Sequence, residues 1–387
     1  MDFELDDEHR ALQDAVRRML TRHADDAAVA GWDASETFPE HVYARLAAMG
    51  LCGLTFEESD GGSGIDELAV CLVVEELARA SGALAWAYLS TVSVTARAVA
   101  RYGTLEQRRG LLPGIASGEQ RIAIAFTEPD AGSDITAATT RAVVDGDRVV
   151  LTGQKVFTTG ADTAGHVLVL ARTDPAASPS RGFSLLLVPT TAAGVAIRKL
   201  TKMAGQSLHT CEVFLDRVPL TSADVLGGPE AVGHGLRAAF ASLDCERVAT
   251  AAMGLGIAQG ALDKAGIYAA QREQFGARIA DLQAVAHMLA DMSIATDAAR
   301  LLTWRAATGL QNRSAGPADA ATAKVAATEI GTRVANLGMQ VLGGYSYMTE
   351  YGMERYWREA KLYEIAAGTN QVLRSTIARH LVDRATR

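Results

Sequence analysis

Near its N-terminus the chain shows a helical period. Asp6-Asp7-Glu8 leads into Leu12, Val16 and Leu20, apolar positions recurring every four residues as one face of a helix requires. A second run starts at Asp66 and carries Leu68, Val70, Cys71, Leu72, Val73, Val74 and Leu77. Only Glu75 and Glu76 interrupt it, which predicts a helix buried on most sides. Between the two runs, Asp60-Gly61-Gly62-Ser63-Gly64 reads as a turn; no Lys-Ser/Thr follows it, so it is not a phosphate-binding loop. From about residue 121 short apolar runs stand between Gly, Pro and Asp: Val149-Val150-Leu151 before Gly153, then Lys155 to Thr159, Val167 to Ala171 and Phe183 to Val188. These predict buried strands, at a spacing that suits a compact sandwich or barrel. Helical pattern then returns. Helices are expected over about 236–272, 281–309 and 318–342, and a last one after Thr369-Asn370, packed as an antiparallel bundle.

Proline placement draws the same divisions. Seven of the nine prolines lie from Pro113 to Pro229, and only Pro317 follows, so the Ala- and Leu-rich stretch between Pro229 and Pro317 is permissive for long helices. The expected fold is α+β and multidomain: an N-terminal helical domain over 1–120, a central β domain over 121–228 and a C-terminal four-helix bundle over 229–387.

Composition narrows the classes of function. The 387 residues are 49% apolar and 21% charged, which excludes a disordered chain. A net charge of −8 argues against a general nucleic-acid partner. Cys52, Cys71, Cys211 and Cys245 form no C-x-x-C pair, and a chain of this size needs no staples, so reduced, buried thiols are expected. The eight histidines include no H-x-x-x-H pair, and no metal is expected. The acidic start MDFELDDEHR is no signal peptide, and no apolar run reaches the roughly 18 residues of a membrane helix. A soluble cytoplasmic protein without membrane insertion is the expectation. Gly254-Leu255-Gly256-Ile257-Ala258-Gln259-Gly260 imitates a dinucleotide fingerprint, but Ser242 to Met253 before it are helical in pattern. Its glycines are read instead as points where a neighbour approaches a helix.

Chemistry concentrates in a few segments. Ala125-Phe126-Thr127-Glu128-Pro129-Asp130-Ala131-Gly132-Ser133-Asp134 leads from a strand into a small-residue turn whose hydroxyls and bared N–H groups suit an anion or the polar edge of a ring; a plain surface turn fits it equally well. The segment resembles the signature of the acyl-CoA dehydrogenase family of FAD flavoproteins. Further segments resemble that family in the same order: Gly153-Gln154-Lys155-Val156-Phe157-Thr158-Thr159, then Arg272-Glu273-Gln274-Phe275-Gly276 through Gln283, then Gln340-Val341-Leu342-Gly343-Gly344-Tyr345, and finally Ala367-Gly368-Thr369-Asn370-Gln371. The family's three-part fold agrees with the three zones above.

The resemblance implies roles residue by residue. Phe126 and Thr127 contact the isoalloxazine edge, Ser133 reaches the pyrophosphate or the substrate's pantetheine arm, and Thr159 bonds the flavin near N5. Phe157 stands where the family more often has Trp; it keeps an apolar wall and lacks the N–H donor. Arg272, Gln274, Phe275, Gln340, Gly343 and Gly344 reach across to the FAD of a neighbouring subunit, with Gln283, Thr369 and Gln371 in the same motifs. The implied assembly is a homotetramer, a dimer of dimers. On its own, Arg272 would pass for a surface helix charge.

One position departs from the pattern. Desaturating an acyl thioester removes a weakly acidic α-proton, so it needs a carboxylate base and donors for the developing enolate oxygen. Many members place the base just before Gly-Thr in the last segment; here that residue is Ala367. The isovaleryl-CoA and long-chain subgroup instead carries a Glu just before an Arg on the first long C-terminal helix, and this chain has Leu243-Asp244-Cys245-Glu246-Arg247 there. By that resemblance Glu246 is the base, its pKa raised toward neutrality by apolar surroundings. Leu243, Asp244, Arg247, Ala367 and Gly368 border the substrate; the Ala367 backbone N–H still polarises the thioester oxygen. Arg247 points about 100° away from Glu246 on the helix. Asp244 bonds the pantetheine or adjusts the helix. Without the resemblance Glu246 is a helix-surface carboxylate or an arginine's partner, and Glu364 is a second candidate base, read as an ordinary helix-end acid. The expected function is α,β-desaturation of a short, branched or medium acyl-CoA, with electrons leaving to an electron-transfer flavoprotein. An acyl-carrier-protein thioester as substrate, a flavin oxidase or monooxygenase on the same fold, and a non-catalytic subunit of a hetero-oligomer stand as alternatives.

Overall fold

The computed structural model describes residues 4–386; the first three residues of the acidic N-terminus and Arg387 lie outside the described residues. The first helix, Asp7–His23, starts where the charge pattern placed it, because the Asp6 side chain accepts a hydrogen bond from the His9 N–H. Asp66 caps the Glu67–Ala80 helix in the same way through the Ala69 N–H. That helix is buried on nearly every side, Glu75 and Glu76 included, at 2% exposure each. Their carboxylates survive burial because arginines come to them. Arg17 Nη2 lies 2.6 Å from Glu76, and Arg79 and Arg300 lie 3.3 Å from Glu76 and Glu75. Arg300 sits on a C-terminal helix, so the pair network ties the two ends of the chain together. Helices over Asp26–Ala34, Glu40–Ala48 and Leu105–Ala116 complete the N-terminal layer, with a nearly continuous helical stretch through Gly82–Tyr88, Leu89–Ala96 and Arg97–Tyr102 whose middle part is π-wound.

The middle of the chain forms one mixed seven-stranded sheet. In spatial order its strands are Ile122–Ala125, His166–Arg172, Arg141–Asp145, Arg148–Thr159, Thr210–Thr221 and Val195–Leu200, with Phe183–Pro189 also paired to His166–Arg172. The two runs read separately on either side of Gly153 are one strand, Arg148–Thr159. Its pairing with Thr210–Thr221 shifts register between Leu151 and Gly153 and again between Lys155 and Thr158. Such bulges bend a strand and re-aim its side chains.

Five helices follow: Gly235–Gln271, Gln283–Gln311, Pro317–Leu342, Met353–Ile365 and Asn370–Ala385. Four match the sequence reading. The Met353–Ile365 helix adds a fifth, anchored by buried Met353, Tyr356, Ala360 and Tyr363 at helical spacing. The glycine-rich imitation of a dinucleotide fingerprint lies inside the Gly235–Gln271 helix, where neighbours do come close. A Cβ on Gly254 would stand 2.8 Å from the Ala327 carbonyl oxygen, and one on Gly256 2.3 Å from that of Glu75. Gly256→Ala must therefore push two backbones apart; a loss of about 1–3 kcal/mol in thermal or denaturant unfolding is expected. Cys52, Cys71 and Cys211 are buried free thiols, whereas Cys245 is only half-buried. Among the described residues no helix is long and apolar enough to cross a membrane, and no cluster of His, Cys, Asp and Glu could hold a metal ion.

Candidate active site

Three groups of residues emerge. The first surrounds the bulged end of the Arg148–Thr159 strand. Phe126 and Thr127 are half-buried just past the Ile122–Ala125 strand, and their loop is held from below. Lys155 Nζ, fully buried, donates to the Phe126 carbonyl at 3.1 Å and to Glu128 Oε1 at 2.7 Å. Glu128 also accepts from the Thr139 N–H at 2.7 Å and the Thr140 N–H at 2.9 Å, and the Val156 N–H closes the joint on the Thr127 carbonyl at 3.0 Å. Burial alone would raise the Glu128 carboxyl, but hydrogen bonds from Lys155, Thr140 and Thr139 outweigh it and hold it down at about 2. Sequence reading missed this pair. Its only signal was a lysine inside an otherwise apolar strand. Phe157 occupies the bulge with φ 58° and turns its ring out of the sheet, 66% exposed. Thr159 pairs with Thr210 at the end of the strand, while the Thr158 hydroxyl is buried with no partner. Ser133 lies on the exposed outer part of the loop.

The second group lines a cleft of about 530 Å³ between the end of the long helix and the segment after Pro317–Leu342. Arg272, Gln274, Phe275, Gly343 and Gly344 are all on its wall, together with Tyr268, Tyr345 and Met348. The Arg272 guanidinium lies 5.5 Å from the Tyr345 ring centroid. Phe275 and Gly276 form the tip of a two-stranded hairpin, at φ 54° and 77°, and Phe275 is 95% exposed. Gln283 and Gln340 flank the cleft on exposed positions without lining it. None of Phe126, Thr127, Ser133, Phe157 or Thr159 belongs to this wall, so one chain keeps the first two groups apart.

The third group joins residues distant in sequence. Glu246, half-buried on the Gly235–Gln271 helix, has no hydrogen bond or ion pair to its carboxylate among the described residues. Burial pushes it up to about 7, opposed by the charges of Arg247 and Lys324. Arg247 pairs with Asp244 at 2.8 Å, and its Nε is buried without a partner. Leu243 is half-buried on the same helix. Lys324, fully buried on Pro317–Leu342, donates to the carbonyls of Glu364 at 3.2 Å and Gly368 at 2.9 Å and to Asn370 Oδ1 at 2.9 Å. The same ammonium thus acts on Glu246 and holds the loop that carries Ala367. In that loop Ala367 and Gly368 both take left-handed conformations, φ 55° and 85°, and the N–H groups of Ala367, Gly368 and Thr369 donate to nothing among the described residues. Consecutive free N–H groups in such a turn form an anion-binding concavity. The Thr369 hydroxyl caps Asn370–Ala385 through the Val372 N–H, and Gln371 is exposed. Glu364 is committed elsewhere: its carboxylate takes the Thr332 hydroxyl at 2.5 Å and Lys361 Nζ at 2.7 Å.

The family models "Acyl-CoA dehydrogenase, N-terminal domain", "middle domain" and "C-terminal domain" match residues 6–119, 123–218 and 233–382. The chain is 36% identical over 387 residues to the probable acyl-CoA dehydrogenase YngJ of Bacillus subtilis, covering 99% of this chain and 100% of that one. It is 37% identical over 346 residues to subunit CarC of the caffeyl-CoA reductase-Etf complex of Acetobacterium woodii, covering 89% and 90%. Its structure superposes on butyryl-CoA dehydrogenase from Megasphaera elsdenii with a TM-score of 0.93 at 32% identity, covering 99% and 100%.

Proposed function

The chain belongs to the acyl-CoA dehydrogenase family of FAD-dependent oxidoreductases acting on CH–CH bonds, and from that premise we propose that it desaturates a short, branched or medium-chain acyl thioester with Glu246 as the base. The observation that carries this reading is the unpartnered Glu246 carboxylate within the field of the lysine that anchors the Ala367 loop.

The residues present fit FAD. Nothing stands within 4 Å of a Cβ built on Gly343 or Gly344, so the backbone of the cleft lies open to a phosphate or a ring, with Arg272 beside it. On the sheet side the orphan Thr158 hydroxyl, Thr159 and the Lys155-anchored loop of Phe126 and Thr127 offer donors to a ring edge. FAD, when bound, supplies a hydride acceptor for Cβ of the substrate. The chain's own part is the proton. Glu246 accepts it from Cα onto a carboxylate oxygen, and the free Ala367 N–H donates to the thioester oxygen as charge builds there. Because no hydrogen bond stabilises the ionised form of Glu246, the carboxylate stays basic enough to take a carbon-bound proton. A methyl rather than a carboxylate at Ala367 leaves room beside Cα for a branched acyl group.

A homo-oligomer completes this account, since Phe275 projects 95% exposed from the cofactor cleft and each chain separates its two cofactor-binding groups. An electron-transfer flavoprotein is the proposed acceptor, consistent with the CarC relative's occurrence in an Etf complex. Two outcomes test the proposal. Anaerobic bleaching of the flavin should occur with members of a panel of short, branched, medium and long acyl-CoAs. Glu246 must lose its proton to act, so the rate is low below about pH 7 and climbs above it, while Lys324, lowered by burial to about 8, begins to lose its charge at the top of the range. Stopped-flow absorbance from pH 5.5 to 8.5 reads both, and no bleaching by any acyl-CoA, or a rate flat across that range, would count against it.

A further inference from the structure

Lys324 lies in an Ala-rich helix, yet it is 0% exposed and its ammonium meets three acceptors: the carbonyls of Glu364 and Gly368 and the side chain of Asn370. Those acceptors bracket the turn that connects Met353–Ile365 to Asn370–Ala385. Inside the bracket Ala367 sits at φ 55°, a conformation that a residue with a Cβ adopts only when its surroundings impose it. Asn370 is itself fixed, donating to the Thr328 hydroxyl at 3.1 Å and to Glu329 at 3.3 Å. The turn is therefore clamped by one buried cation, and among the described residues its Ala367, Gly368 and Thr369 N–H groups are left without acceptors.

We propose that Lys324 is a positioning residue for proton abstraction: its ammonium imposes the left-handed turn that presents the Ala367 N–H, and its charge opposes the protonation of Glu246. This rests on Glu246 being the base. The charged groups around Lys324 are Glu364 from the following helix, Glu246 and Arg247 from the long helix, and Glu329 from its own; around Glu246 they are Arg247 and Lys324. Removing Lys324 leaves Arg247 as the only opposing charge on Glu246 among the described residues, and Arg247 is already paired with Asp244.

The test follows the proton alone. The FAD-loaded enzyme is given acyl-CoAs carrying sulfur in place of Cβ and deuterium at Cα, which cannot give up a β-hydride, and loss of deuterium to water is read by mass spectrometry across pH. Lys324→Met should lower the plateau rate at least tenfold and move the apparent pKa of exchange upward by about one unit, at unchanged flavin content. Lys324→Arg, which keeps the charge, should stay near the wild-type pKa. If Lys324→Met does not fold, Lys324→Gln, which keeps a donor and drops the charge, carries the same expectation. A folded neutral variant with wild-type plateau and pKa overturns the proposal. Glu246→Gln in the same series separates the two readings. If it abolishes exchange while Lys324→Met changes nothing, only the positioning role fails. If it exchanges at the wild-type rate while Lys324→Met still lowers the plateau, the base lies elsewhere and the clamp stands.

Discussion

Glu246→Gln is expected to give a folded, yellow, FAD-loaded protein that no acyl-CoA bleaches under anaerobic conditions. A general base contributes on the order of 10²–10⁴ to such a step, so stopped-flow bleaching should slow by about 10²-fold or more. The amide keeps the size of the side chain and removes only its basicity. It also breaks no contact, since the Glu246 carboxylate has no hydrogen-bonding or ionic partner among the described residues. Stability should move in the opposite direction from activity. A carboxyl whose folded pKa is raised, here from 4.5 to about 7, withdraws stability as pH rises through that interval, because the folded state binds the proton more tightly than the unfolded one. At pH 8 the neutral variant should therefore melt at the same temperature as wild type or above it. An inactive variant that melts well below wild type would point to a structural carboxylate instead.

Lys155→Met should produce the largest loss of stability. The ammonium is 0% exposed and Glu128 5%, and among the described residues the lysine is the only cation on that carboxylate. Breaking a buried pair from one side costs about 3–5 kcal/mol, because the remaining charge is left without its counterion. The same ammonium holds the Phe126 carbonyl, so the loop carrying Phe126 and Thr127 loses its anchor as well. The variant should purify largely free of flavin, with the apparent melting temperature lower by roughly 4–6 °C. Adding Glu128→Gln to Lys155→Met removes the stranded charge and should recover part of the stability but not the flavin. Full flavin content and an unchanged melting temperature in Lys155→Met would remove this pair from the account.

Much of the scaffold was legible because its signals are local. Asp6 and Asp66 each supply a cap oxygen just before an apolar period, and the long helices around residues 236–342 fall where proline is absent. The glycines at 254, 256 and 260 were recognisable as packing contacts because no strand precedes them. What escaped depends on partners far along the chain. Gly153 looks like a strand end, yet at φ 157° it carries the Arg148–Thr159 strand through a bulge beside Thr140. The Met353–Ile365 helix opens on Gly352 with no side-chain cap, and its charged composition hides four buried anchors. In the site, the paired change at Glu246 and Ala367 could be read from sequence. The lysines that hold both halves could not. Lys155 and Lys324 look like ordinary strand and helix residues until the structure brings carbonyls and carboxylates around them.

Deuterium loss from Cα of the sulfur-substituted acyl-CoAs, compared between wild type and Glu246→Gln at pH 8, shows whether Glu246 removes the α-proton. Wild type should lose deuterium rapidly and the variant no faster than buffer alone. Equal loss from both would contradict that role.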